Sequence, residues 1–354
     1  MPGSGNFKTG YAADSAIFDT PSKKLWAWAF IALLLVLPLV LPKYYVHLLN
    51  VVLLASIGTL MLNFLIGYTG MISFGQAAFL ASGAFTTAIL THYLHAPFWL
   101  CLIAAGLVGA LLGTLAGLPA IRLRGAYLVL STIAIHYIVT VNASLYQAKV
   151  GYTAGIAIPE PVLFGFILNT SFRWYYLLLI AVLAVTIVSI NIERSAVGRI
   201  WKAIGSRDIA AMALGVNVAY YKVLAFAFTS AVTAMAGALS AFYMSYVSVD
   251  EYTLWLSVTY LAMVIVGGAG SILGSFLGAL FITMLPYVIS ELADLTLPTQ
   301  LGYYRFALQW ALFGVIILVF LIMEPEGLTG IWRRVKTYFE QWPLRYFKTP
   351  NTVR

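Results

Sequence analysis

The chain has 354 residues, of which 62% are hydrophobic and 9% charged, with a formal net charge of +8. Soluble domains carry roughly 25% charged residues, so this composition excludes an ordinary soluble fold. The single cysteine, Cys101, lies in an apolar run; disulfides and thiolate metal sites are excluded, and it reads as a small buried hydrophobe.

Taken in chain order, residues 1–24 are polar and too rich in Gly, Asp and Ser for a signal peptide, so they are expected to form a cytoplasmic N-terminal leader. A spanning helix needs about 20 mainly apolar residues, because the hydrocarbon core is roughly 30 Å thick. Stretches of that kind fall at 25–41, 46–66, 71–90, 97–118, 125–145, 174–192, 223–246, 254–268, 271–290 and 306–323. The pattern predicts an all-α polytopic membrane protein of about ten transmembrane helices. The eighth stretch is short and runs into Gly267-Gly268-Ala269-Gly270, which suits a broken or re-entrant helix. A transmembrane domain is thus expected over 25–323, with a cytoplasmic loop at 193–222 and a cytoplasmic tail at 324–354.

Basic residues test this map. With the N-terminus inside, only Lys43, Lys149, Arg173 and Arg305 fall outside, and the remaining sixteen of the twenty Lys and Arg residues fall in cytoplasmic segments. That bias follows the positive-inside rule, places both termini in the cytoplasm and accounts for the net charge without nucleic acid. None of the ten stretches contains Asp, Glu, Lys or Arg. Intramembrane charges mark proton relays and ion sites, so their absence argues against an ion-coupled carrier. No G-x-x-x-x-G-K-[ST] phosphate loop is present either, and an active transporter of this kind needs an ATPase partner. A passive channel needs none and is the rival reading. An intramembrane enzyme lacks an acid, base or nucleophile set.

Within the third stretch, Ser73, Gln76 and Thr87 fall on one helical stripe that could border a translocation pathway or serve interhelical hydrogen bonds. Thr132 and His136 share a face of the fifth, where a neutral imidazole can donate and accept. His92 and His95 form an H-x-x-H without a visible third ligand, so no metal site is expected. Gly67-Tyr68-Thr69-Gly70 and Gly267-Gly268-Ala269-Gly270 echo one another, without implying a repeat.

The segment Glu193 to Asn217 is longer and more charged than a connector needs. Asp208 suits the start of a short Ala-rich helix and Gly215 its left-handed termination. Here the sequence resembles a known family. Gly198-Arg199-x-x-Lys202-Ala203-Ile204, then Ala210-Ala211-x-Ala213-Leu214-Gly215-Val216-Asn217 and Tyr221-Lys222, are similar to the coupling region of LivM-type permeases of branched-chain amino-acid ABC importers. So are Leu62-Asn63-Phe64-Leu65-x-Gly67-Tyr68-x-Gly70-x-x-Ser73-Phe74-Gly75-Gln76-Ala77-Ala78-Phe79, Arg122-Leu123-Arg124-Gly125-x-Tyr127-Leu128 and Val266-Gly267-Gly268-x-Gly270-Ser271-Ile272-x-Gly274.

The resemblance implies an inner-membrane permease subunit that performs no bond chemistry and holds no cofactor, ATP being bound by partner subunits. It implies a second related permease, two cytoplasmic ABC ATPases and a periplasmic solute-binding protein. Gly198, Arg199, Lys202, Ala210, Ala211, Leu214 and Gly215 become candidates for ATPase coupling, and Ser73, Gln76, Thr87, Thr132 and His136 for the pathway. Two departures bear on the solute: Thr132-Ile133-Ala134-Ile135-His136-Tyr137 stands where the family commonly reaches an acidic residue, and Val150-Gly151-Tyr152-Thr153-Ala154-Gly155-Ile156 replaces a Thr-Gly-Gly-x-x-Gly-Ile. Urea, short amides and aromatic acids are therefore alternatives to branched-chain amino acids.

Overall fold

The computed structural model describes residues 21–123, 125–150, 155–163, 166–296 and, except for 313, 316, 320, 321, 323 and 325, residues 311–341. An apolar run in hydrocarbon must close its backbone hydrogen bonds within itself, and a helix does so. The helices are α1 (Pro21–Val40), α2 (Lys43–Asn63), α3 (Gln76–Leu94), α4 (Phe98–Ala120), α5 (Ala126–Lys149), α6 (Ser171–Arg194), α7 (Ala196–Ser206), α8 (Asp208–Ala213), α9 (Val218–Met244), α10 (Leu254–Gly267), α11 (Ile272–Thr296) and α12 (Gly327–Gln341). Among the described residues, eight helical segments are long and apolar enough to cross a membrane, and they correspond to the second to ninth expected spans. Helix α1 occupies the first expected span, 25–41, and among the described residues its stretch Ile31–Val40 forms an apolar helix shorter than a span. The tenth, 306–323, lies partly outside the described residues.

Helix α9 is the axis of the bundle, packed between α3 and α4. A β-carbon at Gly83 of α3 would overlap the Ala234 carbonyl oxygen, and one at Gly237 of α9 would overlap that of Leu80. The two backbones therefore touch, which small residues permit in a medium where packing replaces the hydrophobic drive. Around this contact Leu80, Ala84, Phe98, Leu178, Leu239, Phe242 and Met263 share one buried cluster.

The third expected span is corrected. Helix α2 ends in a π-helical turn, Phe64–Tyr68, and α3 does not begin until Gln76, so Met71–Gly75 is irregular. Side chains satisfy the backbone that no helix turn can: Phe74 N donates to Thr132 Oγ1 at 3.0 Å, and Ala77 N to Ser257 Oγ at 2.9 Å. Non-helical backbone at membrane depth is tolerated only under such protection. Ser73 therefore precedes the helix on which the predicted stripe was drawn.

The eighth expected span is α10, preceded by a 3-10 turn at Val249–Glu251 and ended by Gly268 in a positive-φ conformation. Short strands not expected from the sequence add a further tie: β1 (Ile156–Ala157) pairs antiparallel with β4 (Tyr246–Val247), and β2 (Val162–Leu163) with β3 (Phe166–Ile167). The tail at 324–354 contains helix α12.

Candidate functional site

The loop at 193–222 folds into two helices. Ser195 leaves α6 with extended backbone and its Oγ accepts from Gly198 N at 3.4 Å, capping α7. Lys202 pairs with Glu193 at 2.9 Å and stands 5.1 Å from the centroid of the Tyr68 ring. Arg199 donates to the Arg194 carbonyl at 2.9 Å. Trp201 is buried, donates Nε1 to the Tyr221 carbonyl at 3.0 Å and meets Phe64 edge-on, with ring centroids 6.0 Å apart. A β-carbon at Gly205 would overlap the Tyr68 carbonyl oxygen, so α7 rests on the π-turn closing α2. Close-packed contacts transmit strain rather than absorb it. A force on α7 thus reaches Phe64–Tyr68.

Helix α8 opens at Asp208, and Gly215 follows it with φ of +83°, both as expected. The Asp208 carboxylate also pairs with Lys222 at 2.6 Å, with little exposure of either side chain. Ala211 turns inward, 2% exposed, against Ile204 and Val218. It belongs to the packing that holds the loop, while Ile209, Ala210, Met212, Ala213 and Leu214 face outward, Ile209 at 70% and Leu214 at 82% exposure. Of the other candidates, Gly198 is buried, and Arg199, Lys202 and Gly215 are exposed. Trp201 and the Asp208–Lys222 pair were not singled out from the sequence. A lone tryptophan in a charged connector was the available signal.

The five pathway candidates, Ser73, Gln76, Thr87, Thr132 and His136, are all buried. Gln76 Nε2 donates to the Gly58 carbonyl at 2.8 Å and to Thr233 Oγ1 at 3.3 Å. Ser73 Oγ accepts from Gly75 N at 3.2 Å. Thr132 joins this region through Phe74 N, whereas Thr87 Oγ1 donates to the Gly83 carbonyl of its own helix, at 3.0 Å. His136 lies one turn from Thr132 on the same face, and its Nδ1 makes no hydrogen bond among the described residues. Asn63, in the motif that closes α2, binds the second glycine-rich motif: its Nδ2 donates to Ser271 O and Ser275 Oγ, each at 2.8 Å, and its Oδ1 accepts from Gly270 N at 2.8 Å. The two motifs that echo in sequence thus meet in space, Gly67 against Gly270. In this setting Gln76→Leu leaves the Thr233 hydroxyl without its amide partner, and the expected cost is about 1–3 kcal/mol. Thermal unfolding in detergent reads it. Unchanged stability with lost uptake would instead place Gln76 in the pathway.

An open cavity of about 440 Å³ lies elsewhere, between α2, α3, α9, α10 and α11. Its polar lining includes Ser240, Glu251, Thr253, Thr259, Tyr260 and Thr283, and its apolar lining Leu54, Met263 and Ile282. None of the five candidates lines it. Tyr260 stands between: its ring approaches Gly58, whose carbonyl accepts from Gln76. Glu251 falls just before the eighth expected span, which is why a search for charges inside the spans passes it over. Among the described residues no group of three or more His, Cys, Asp or Glu side chains could hold a metal ion.

The sequence profile of the permease component of branched-chain amino acid transport systems matches residues 44–323. The chain belongs to this permease family. The match spans the membrane helices, the α7–α8 loop and the cavity, and stops short of α12. The chain is 28% identical, over 339 residues covering 89% of it and 77% of the relative, to the high-affinity branched-chain amino acid transport system permease protein LivM of Salmonella typhimurium. LivM of Escherichia coli gives the same identity and coverage. A probable branched-chain amino acid transport permease protein LivM of Methanocaldococcus jannaschii is 26% identical over 236 residues, 65% of this chain and 67% of the relative. No solved structure matches the chain. Family and helices together make it a multi-pass membrane transport protein.

Proposed function

We propose that the chain is the permease subunit of an ATP-driven importer in a bacterial inner membrane, and that it carries branched-chain or related amino acids. The observation that carries this reading is the α7–α8 unit: internally braced by Trp201 and by Asp208–Lys222, seated on the π-turn of α2, yet presenting exposed Ile209, Met212 and Leu214 at its tip. A passive channel has no use for a braced lever with an apolar tip. An ATPase partner that grips the tip moves α7, and α7 moves the junction of α2 with the Gly270 turn. ATP then biases one arrangement of the pathway through differential contacts.

The partners in this reading are a second related permease, two ABC ATPases that bind the ATP, and a periplasmic solute-binding protein. The charge distribution supports both termini and the 193–222 loop in the cytoplasm. Glu251 beside Leu54, Met263 and Ile282 favours a solute with an ammonium group and an aliphatic body, and disfavours anions such as aromatic acids. Urea and short amides are the remaining alternatives.

Affinity-tagged chain should bring ATPase subunits with it, and proteoliposomes containing the complex and its binding protein should take up leucine, isoleucine or valine in an ATP-dependent way. Cysteines at Ser206, exposed at the end of α7, and at Pro159 should label from opposite sides of the membrane. ATP-independent uptake would return the channel reading, and uptake competed by urea or amides but not by leucine would change the solute.

A further inference from the structure

Helix α12 differs from the spans. It carries Arg333, Arg334 and Lys336 within 15 residues. At about 100° per residue, Leu328, Ile331, Trp332, Val335 and Tyr338 share one face roughly 120° wide, Arg334 and Lys336 flank it, and Arg333 and Thr337 lie opposite. Leu328, near the start, packs against the main core of the membrane helices. Beyond it, Ile331, Trp332, Val335 and Tyr338 are exposed, Trp332 at 57%. The apolar face therefore begins on the membrane domain and continues past it on the same side of the helix.

Composition argues for what covers this face. Tryptophan and tyrosine concentrate at the boundary between headgroups and acyl chains, and a helix with aliphatic residues on one face and arginine and lysine on the other lies along that boundary. Arg333 pairs with Glu326 and Arg334 with Glu324, but all of these are at the surface apart from the less exposed Glu324. Such pairs contribute little and exchange readily, leaving the guanidinium groups able to meet lipid phosphates.

We propose that α12 is an interfacial anchor whose ligand is the phospholipid surface beside the 193–222 loop. The anchor is tied to moving parts. Gly327, at its start, closes on the backbone of Gly268 at the end of α10, and two residues further Gly270 N donates to Asn63 of α2 at 2.8 Å. Fixing α12 in the membrane surface holds this turn, and with it the end of α2 on which α7 rests.

The test uses the full chain in nanodiscs of phosphatidylethanolamine and phosphatidylglycerol, with Val335→Cys or Arg333→Cys labelled by an environment-sensitive fluorophore. Both positions are exposed, so folding is retained, and buried Cys101 stays in place. The Val335 label should be quenched several-fold more by a shallow spin-labelled lipid than by aqueous iodide, and the Arg333 label should show the reverse. Trp332→Asp should return the Val335 label to iodide. Equal quenching at both positions overturns the proposal, as does shielding of the Val335 label that appears only after ATPase subunits are added, which would make the face a protein contact.

Discussion

Gly237→Val abolishes stable assembly of the permease. The β-carbon alone would enter the space of the Leu80 carbonyl oxygen, and valine adds two methyl groups to it. Because the obstacle is backbone rather than a flexible side chain, relief requires α3 and α9 to separate. Their separation unpacks Gly83 from Ala234 on the same line of contact. Overpacking a core commonly costs about 1–3 kcal/mol and more where neighbours cannot yield; here about 3 kcal/mol or more is expected. Size-exclusion profiles and unfolding temperature in detergent measure it. Gly215→Ala is the control: it has φ of +83° but open space around its β-position, so only the left-handed backbone term of about 1 kcal/mol applies. A Gly237→Val protein that elutes and melts like the parent means that α3 and α9 do not touch.

What was legible in the sequence follows from which forces act locally. Hydrocarbon demands long uncharged runs, and α2, α4, α6 and α9 appear where such runs were read. Hydropathy is blind to backbone shape, however, so Met71–Gly75 looks like the start of a helix although Phe74 N within it is held by Thr132, and Ala77 N just after it by Ser257, from elsewhere in the chain. Asp208 and Gly215 were legible because helix ends have local chemistry. The inward turn of Ala211 was not, since alanines on both sides of α8 give no periodicity to read. Nothing local pairs Ile156 with Val247 either. The candidate pathway residues were chosen as polar groups within spans, and the structure pairs most of them with backbone groups. Glu251, the charged group that lines the open cavity, sits at a span end, where charge is ordinary.

Leu214→Asp should sever the permease from its ATPases while leaving the permease folded, and it is the sharpest test of coupling. Ala211→Glu, at another candidate coupling position, is a poor probe, because Ala211 packs against Ile204 and Val218 and a glutamate there would break the loop from within. Leu214 is 82% exposed, so in the isolated chain aspartate replaces it at little cost. In a docked complex the same side chain enters an interface, and a carboxylate buried there without a partner costs several kcal/mol. Each 1.4 kcal/mol is a factor of ten in affinity, so docking weakens by two orders of magnitude or more. The buried links behind the tip, Trp201 to Tyr221 and Asp208 to Lys222, remain intact, and the unfolding temperature should stay that of the parent. Co-purified ATPase and ATP-dependent uptake should both be lost, and Leu214→Met should retain them. Normal uptake by a well-folded Leu214→Asp protein would show that the tip of α8 is not gripped, and the source of motion would have to be sought at another surface.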